Sequence, residues 1–150
     1  MRVTFDTNVL IYSWDIDAGR RHHLAVDLID RSLGRDCILT LQSLGDAFHA
    51  LTRRFKLPPA DARMRVGRWR SAFPVVAADE RCLAEAMNAV DEHGLSFWDA
   101  MIWATARRAG CQLLISEDGQ DGRTLDGVTI VNPSTAHPSL LLEQALGPAG

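Results

Sequence analysis

Long hydrophobic runs and signal-like segments are missing from this sequence. Apolar runs, such as residues 9–12 and 140–142, are far shorter than the roughly 18–20 residues that cross a bilayer. No apolar segment precedes Asp6, so no secretory signal is predicted. Glycine and proline are not enriched (11 and 6 residues) and 47% of residues are hydrophobic, which excludes fibrous and disordered classes. We therefore expect a cytoplasmic, globular single domain, residues 1–150, without membrane contact, in which about 134–150 form a C-terminal tail.

The sequence also lacks the cysteine and histidine patterns of disulfide-rich and zinc proteins. Its three cysteines are an odd number and contain no Cys-x-x-Cys pair. Its five histidines, which include the isolated His137, lack the i, i+4 spacing that places two ligands on one helix face. The remaining candidate metal ligands are carboxylates.

Lysine is nearly absent, because fifteen of the sixteen basic residues are arginine and the only lysine is Lys56. Residues 53–81 hold eight basic and three acidic side chains, a net charge of 8 − 3 = +5, whereas the whole chain carries −3. Two interpretations of this segment stay open. It is either a solvated helix face or a phosphate-binding flank, since guanidinium groups match phosphate oxygens.

Short runs typical of strands alternate with segments of helical periodicity. Strands are predicted at residues 2–5, 37–41, 74–76, 112–116 and 128–131. A first helix is predicted after Asp6, with Thr7 or Asn8 as its N-cap, and further helices at 21–33, 43–55, 59–73, 79–93 and 97–109. Residues 117–127 are predicted to be a polar loop. The alternation predicts an α/β fold of three layers, α/β/α, around a central, mainly parallel sheet.

Four carboxylates follow predicted strands, where the binding sites of open α/β sheets lie. Asp6 comes directly after the first strand, and Asp118 follows residues 112–116 with one residue between. We place Asp46 and Asp99 in the first turns of the helices at 43–55 and 97–109. In a parallel sheet, all four positions belong to the same edge.

Each of these carboxylates also has a purely structural explanation. Asp46 and Asp99 each end an S-x-x-D capping box, which satisfies free N–H groups at a helix start. Asp6 would offset the charge of a helix N-terminus, and Asp118 would be a turn residue. We favour a ligand role for Asp99, because it begins a helix expected to be buried, where an unpaired charge is unfavourable. Both readings of Asp46 stay open, and three further acidic residues compete with Asp118: Glu117, Asp121 and Asp126.

Carboxylates that share one cleft repel each other unless a cation neutralises them. Oxygen ligands without histidine or cysteine select Mg²⁺ or Mn²⁺. Such ions activate water and stabilise charge on phosphate oxygens. Phosphodiester hydrolysis is therefore the chemistry that the residues favour.

Three segments, taken in order, resemble a PIN domain of the VapC toxin type. They are Val3-Thr4-Phe5-Asp6-Thr7-Asn8, Leu95-Ser96-Phe97-Trp98-Asp99-Ala100, and Leu114-Ile115-Ser116-Glu117-Asp118 continuing to Asn132-Pro133. The resemblance covers residues 1 to about 133. It implies a metal-dependent endoribonuclease, the toxin of a bacterial toxin-antitoxin pair. It also implies Mg²⁺ or Mn²⁺ in an acidic cluster, a homodimer, and an antitoxin that blocks the cleft with a basic side chain.

The resemblance also assigns roles to residues. Where the family commonly has Glu in the helix after strand two, this sequence has Asp46, which is one methylene shorter, and Asp121 is a candidate to compensate. The implied catalytic residues are Asp6, Asp46, Asp99 and Asp118. The implied metal ligands are Asp6, Asp99 and Asp118, with polar support from Thr7, Asn8 and Ser116.

Two other functions stay open: a degenerate PIN-like module that binds RNA or protein without cutting, and a Mg²⁺-dependent phosphohydrolase of another α/β family. A haloacid-dehalogenase-like phosphatase needs a second Asp two residues after the first, where this chain has Asn8. A receiver domain needs a lysine near the last strands, and Lys56 is the only lysine. No G-x-x-x-x-G-K-[ST] or G-x-G-x-x-G loop is present. Mg²⁺-dependent cleavage of RNA would separate these alternatives.

Overall fold

The computed structural model describes residues 1–135 and 139–149, so His137 and part of the predicted tail lie outside the described residues. Within these ranges the chain forms six strands: β1 (Val3–Phe5), β2 (Cys37–Thr40), β3 (Val75–Val76), β4 (Leu113–Ile115), β5 (Thr124–Leu125) and β6 (Val128–Val131). It also forms seven α-helices: α1 (Thr7–Trp14), α2 (Arg20–Ser32), α3 (Leu41–Arg53), α4 (Pro59–Ala72), α5 (Glu80–His93), α6 (Phe97–Arg108) and α7 (Leu140–Leu146). A 3-10 turn, Ile16–Ala18, joins α1 to α2. No helix in the described part of the chain is long and apolar enough to cross a membrane.

The strands form one sheet in the order β3-β2-β1-β4-β6-β5. All neighbouring strands are parallel except β5, which runs antiparallel to β6. The central pair is β1 and β4, in which Val3 lies opposite Leu113 and Phe5 opposite Ile115. From β1 the chain adds β2 and then β3 on one side, and it then returns to the centre and adds β4 and β6 on the other side. The direction in which strands are added therefore reverses between β1 and β4.

Each face of the sheet is covered by its own group of helices. Leu113 and Ile115 of β4 point into the larger core, which packs α1, α2, α3, α4 and α7 against the sheet. Leu114, between them, points into a second core made with α5 and α6. This alternation confirms the predicted α/β fold with helices on both faces of a mainly parallel sheet.

Two helices start earlier than the sequence pattern predicts. The N-cap of α1 is Asp6, not Thr7 or Asn8, because its carboxylate accepts a hydrogen bond from the backbone N–H of Val9. The helix α3 starts at Leu41, since the Thr40 hydroxyl accepts from the N–H of Ser43 at 3.1 Å. The predicted capping box from Ser43 to Asp46 therefore does not form. Asp46 is the sixth residue of α3 and lies in its second turn, not its first.

Two elements were not predicted. The loop predicted at residues 117–127 contains β5, which forms a hairpin with β6 through Asp126 and Gly127, both at positive φ (46° and 83°). The tail contains α7, whose Leu142 and Leu146 are buried against the larger core. Aromatic residues of the helices differ in their burial. Trp69 is buried, and Trp14 contacts Phe55 with ring centroids 5.1 Å apart, whereas Phe48 and Leu140 are exposed.

Candidate active site

A cavity of about 220 Å³ opens at the carboxyl end of the central strands, beside the start of α6. This is where chain order reverses in the sheet, the usual position of ligand sites in open α/β folds. Three carboxylates line the cavity, from Asp6 after β1, Asp99 in the first turn of α6 and Asp118 after β4. Its remaining wall includes apolar side chains of the second core: Leu95, Ile102, Trp103, Leu114 and Ile130.

Asp6 is the buried carboxylate of the site, with a relative exposure of 7%. Ser116 donates its hydroxyl to Asp6 Oδ2 at 2.6 Å, and the backbone N–H of Val9 donates to Oδ1 at 3.3 Å. Burial is the main reason that the pKa of Asp6 rises from 3.8 to about 6. The hydrogen bond from Ser116 opposes the rise, and the negative charges of Asp118 and Asp99 add to it. A charged Asp6 is therefore unfavourable in the protein alone.

Asp118 is exposed and is tied to Asp6 through Ser116. The backbone N–H of Asp118 donates to the Ser116 hydroxyl at 3.1 Å, and Asn8 donates its amide Nδ2 to Asp118 Oδ2 at 3.2 Å. Partial burial raises the pKa of Asp118, and the charge of Asp99 raises it further. Ser116 thus connects the ends of β1 and β4, and Asn8 holds Asp118 over the start of α1.

Asp99 is more exposed than the sequence predicts. Most residues of α6 between Ala100 and Ala106 are buried, but Asp99 itself is exposed and the preceding Trp98 is 66% exposed. The expectation of a buried charge at Asp99 is therefore wrong, and the buried charge of the site belongs to Asp6 instead. Ser96 stands at the N-cap but donates its hydroxyl to Asp99 Oδ2 at 2.7 Å, with no capping bond from its side chain. The capping box at α6 is thus not formed either.

The other predicted residues lie outside the cavity. Asp46 is exposed on α3 and does not line it. Asp121 accepts a hydrogen bond from the backbone N–H of Asn132 at 2.9 Å and does not line it either. The hydroxyl oxygen of Thr7 is buried and has no hydrogen-bond partner within the described part of the chain. The cavity thus brings together three of the four predicted carboxylates, with Ser116.

The arginine-rich segment does not reach this cavity. Its helix α4 packs on α3, and its Arg65 and Arg68 line a separate cavity of about 210 Å³ together with Trp14. Burial, with the nearby Arg68, lowers the pKa of Arg65. The structure therefore favours the interpretation of this segment as a solvated helix face.

Two residues of the acidic cavity were missed by sequence reasoning. Arg123 lines it and donates Nη2 to the backbone carbonyl of His93 at 2.9 Å. Gly119 lines it where a Cβ atom would lie 2.7 Å from Ile130 Cγ2, so the backbone approaches β6 too closely for a side chain. The sequence signal for Gly119 is its place directly after Asp118. Arg123 had none, because it is a single basic residue inside a polar segment.

The donor set of the cavity fits a hard divalent cation. Carboxylate and hydroxyl oxygens are the ligands that Mg²⁺ and Mn²⁺ prefer, and no histidine or cysteine of the described ranges lines the cavity. Even so, no group of three or more Asp, Glu, His or Cys among the described residues is close enough to hold an ion as the side chains stand. The donor chemistry fits an ion better than the present side-chain positions do.

The family model of the PIN domain matches residues 3–123. The chain belongs to the PIN domain family. PIN domains are typically nucleases and generally use divalent metals. A comparison with curated proteins finds no match.

Several solved structures share the fold of this PIN domain. A toxin-antitoxin complex from Klebsiella pneumoniae has a TM-score of 0.63 at 24% identity, over 87% of this chain and 97% of that chain. VapC20 from Mycobacterium tuberculosis, described as a Sarcin-Ricin loop cleaving toxin, has a TM-score of 0.61 at 22% identity, over 75% and 86%. FitAcB from Neisseria gonorrhoeae has a TM-score of 0.59 at 17% identity, over 87% and 97%. The PIN domain thus resembles VapC and FitB toxins of toxin-antitoxin complexes in its fold.

Proposed function

We propose that this PIN domain is a metal-dependent endoribonuclease that hydrolyses phosphodiester bonds in RNA. The observation that carries the proposal is the shared cavity of Asp6, Asp99 and Asp118, in which burial and mutual repulsion raise the pKa of Asp6 to about 6. A divalent cation would stabilise the three charges together. One solved relative is described as a toxin that cleaves the Sarcin-Ricin loop, which supports a cleavage activity.

In this proposal Asp6, Asp99 and Asp118 hold Mg²⁺ or Mn²⁺. A bound ion supplies Lewis-acid chemistry, in which it activates water and offsets charge on phosphate oxygens. Ser116 orients Asp6 and Asp118 by bonding both, while Asn8 holds Asp118 and Ser96 holds Asp99. Asp46, Asp121 and Thr7 stay candidates for further roles from positions outside the cavity.

The test compares RNA cleavage by the wild type and by Asp6→Asn, with Mg²⁺, with Mn²⁺ and with a chelator. We expect products from total RNA only with metal and wild-type protein, and a loss of about 100-fold or more in the variant, as for a disrupted metal site. Asp91→Asn, an exposed position on α5, is the matched control and should cleave normally. Equal cleavage by Asp6→Asn, or cleavage that survives the chelator, would reject the proposal.

One observation favours a second candidate, a PIN module that binds RNA without cutting it. The carboxylates do not form a ready-made ion site among the described residues. For such a module, the same experiment would give RNA binding that is indifferent to metal, with no cleavage products. The thermal midpoint adds a direct measure, because an ion bound by the folded state raises it by linkage. A rise with Mn²⁺ that is lost in Asp6→Asn would favour the nuclease.

We further propose that the protein is the toxin of a toxin-antitoxin pair and forms a homodimer. Support comes from relatives of the same fold that were solved as toxin-antitoxin complexes. An antitoxin that placed an arginine or lysine beside Asp6 and Asp99 would neutralise part of the cluster and compete with the metal. Inhibition of this kind requires no change in the fold of the toxin.

A further inference from the structure

One basic side chain lines the same cavity as the three carboxylates. Of the described residues that line it, Arg123 alone is positively charged. The other arginines that form ion pairs in the described ranges bond carboxylates elsewhere, as Arg2 does with Asp36 and Arg107 with Glu85. Arg123 has no carboxylate within 4.0 Å in the part of the chain that the structure describes, so its charge is not neutralised there.

Arg123 is held at both ends. Its backbone carbonyl accepts from Ile130 N–H at 2.8 Å, and its backbone N–H donates to the carbonyl of Gln120 at 3.0 Å. Its guanidinium Nη2 donates to the carbonyl of His93, the last residue of α5. A guanidinium has five N–H donors in a planar fork, so this anchor leaves donors free to meet a ligand. The side chain is therefore positioned before any ligand arrives.

An RNA backbone needs such a group here. Three carboxylates repel a phosphodiester, and a single divalent ion does not balance three carboxylates and a phosphate. We propose that Arg123 binds a phosphate of the RNA chain next to the carboxylates, as a substrate-positioning residue. This inference rests on the proposed nuclease function. Composition left phosphate binding open as a role for residues 53–81. The inference gives this role to Arg123, the residue directly before β5.

The experiment measures binding of a short single-stranded RNA in the cleavage-deficient Asp6→Asn background, over roughly 50 to 200 mM salt. Adding Arg123→Gln should lower affinity about fivefold and reduce the slope of log affinity against log salt by about 0.7, the value for one phosphate contact on a single strand. Adding Arg123→Lys should restore most of the slope, because it keeps the charge. Arg20→Gln, an exposed arginine on α2 outside the cavity, is the control and should change neither quantity.

A structural role gives a different result. If Arg123 only fastened its segment to α5, the Gln and Lys variants would lose affinity equally and lower the thermal midpoint equally, and this outcome would overturn the inference. Should Arg123→Gln fail to fold, modification of arginines by phenylglyoxal in the Asp6→Asn protein decides. RNA should protect Arg123 and leave Arg20 reactive, and an unprotected Arg123 would overturn the inference.

The experiments distinguish failure of the Arg123 inference from failure of the proposed nuclease function. A normal salt slope in Arg123→Gln, with wild-type RNA cleavage intact, removes the role of Arg123 and leaves the nuclease. A reduced slope in a protein that never cleaves RNA keeps the phosphate contact and removes the nuclease.

Discussion

Asp6 serves the fold and the site at once. Its carboxylate caps α1 through Val9 and accepts from Ser116, while its charge faces two other carboxylates. The capping bond stabilises the helix, but the buried charge opposes folding when no cation is bound. A substitution of Asp6 should therefore change the stability of the protein as well as the candidate site.

The pH dependence of stability should reveal this conflict. The pKa of Asp6 is about 6 in the folded protein against 3.8 for an unperturbed group, so the folded state holds the proton more tightly. The free energy of unfolding should then fall as pH rises from about 4 to about 6, by up to about 3 kcal/mol, and stay level above. Asp6→Asn should lack this fall and be more stable than the wild type near neutral pH. Urea unfolding in chelator measures both proteins, and a variant that is less stable at neutral pH would contradict the prediction.

Gly119 gives a second prediction at this scale. A Cβ atom would lie 2.7 Å from Ile130 Cγ2, so Gly119→Ala should lower the free energy of unfolding by about 1–3 kcal/mol through overpacking. Gly67→Ala is the matched control, since a Cβ atom on that helical glycine would meet nothing within 4 Å beyond its chain neighbours and its own helix backbone. This variant should gain about 0.5–1 kcal/mol. Thermal or urea unfolding compares them. If Ile130→Ala does not reduce the loss in a double-mutant cycle, the contact is not its cause.

At the scale of elements, the start of α3 depends on Thr40. Its hydroxyl accepts from Ser43 N–H and donates to the Ser43 hydroxyl at 2.9 Å, in a fully buried position. Thr40→Ala should lower the free energy of unfolding by about 1–2 kcal/mol, as expected for a lost N-cap, whereas Thr40→Ser should retain most of the stability. Equal losses in the two variants would show that the methyl group, and not the cap, matters here.

Helix ends show where local patterns stop being informative. The sequence at residues 40–46 offers two hydroxyl caps three residues apart, and only the packed structure selects Thr40 over Ser43. The same limit applies to β5, whose two residues are too few to give periodicity, although Asp126 and Gly127 carry a hairpin signal. The continuous apolar run of β4 predicted that strand correctly, because it is buried on both faces.

Part of the candidate site could be predicted from the positions of the strands. Their positions at or just beyond the ends of predicted strands identified Asp6 and Asp118, since strand ends fix their place in the sheet. Arg123 was not predictable, because its position depends on a hairpin and on the end of α5, thirty residues earlier in the chain. The burial of Asp6 and the exposure of Asp99 also follow from packing and not from their neighbours in sequence.

At the scale of the whole molecule, the proposed pairing with an antitoxin leads to a prediction about expression. The protein alone should be toxic or poorly expressed, and it should co-purify with a short protein encoded beside it in a complex without nuclease activity. Growth curves, pull-down and an RNA cleavage assay before and after removal of the partner measure this. A harmless protein that elutes as a monomer at micromolar concentration, despite nuclease activity, would refute the toxin role and leave the nuclease.

The bond between Ser116 and Asp6 joins residues 110 positions apart. A ribosome that has released only the first two thirds of the chain holds Asp6 and Asp99 but neither Ser116 nor Asp118. No fragment of that length can complete the cavity, and closing so long a loop comes late in folding. Under the proposed nuclease function, the nascent polypeptide would lack a complete cavity until synthesis is nearly finished, and a co-translated partner would have time to be ready.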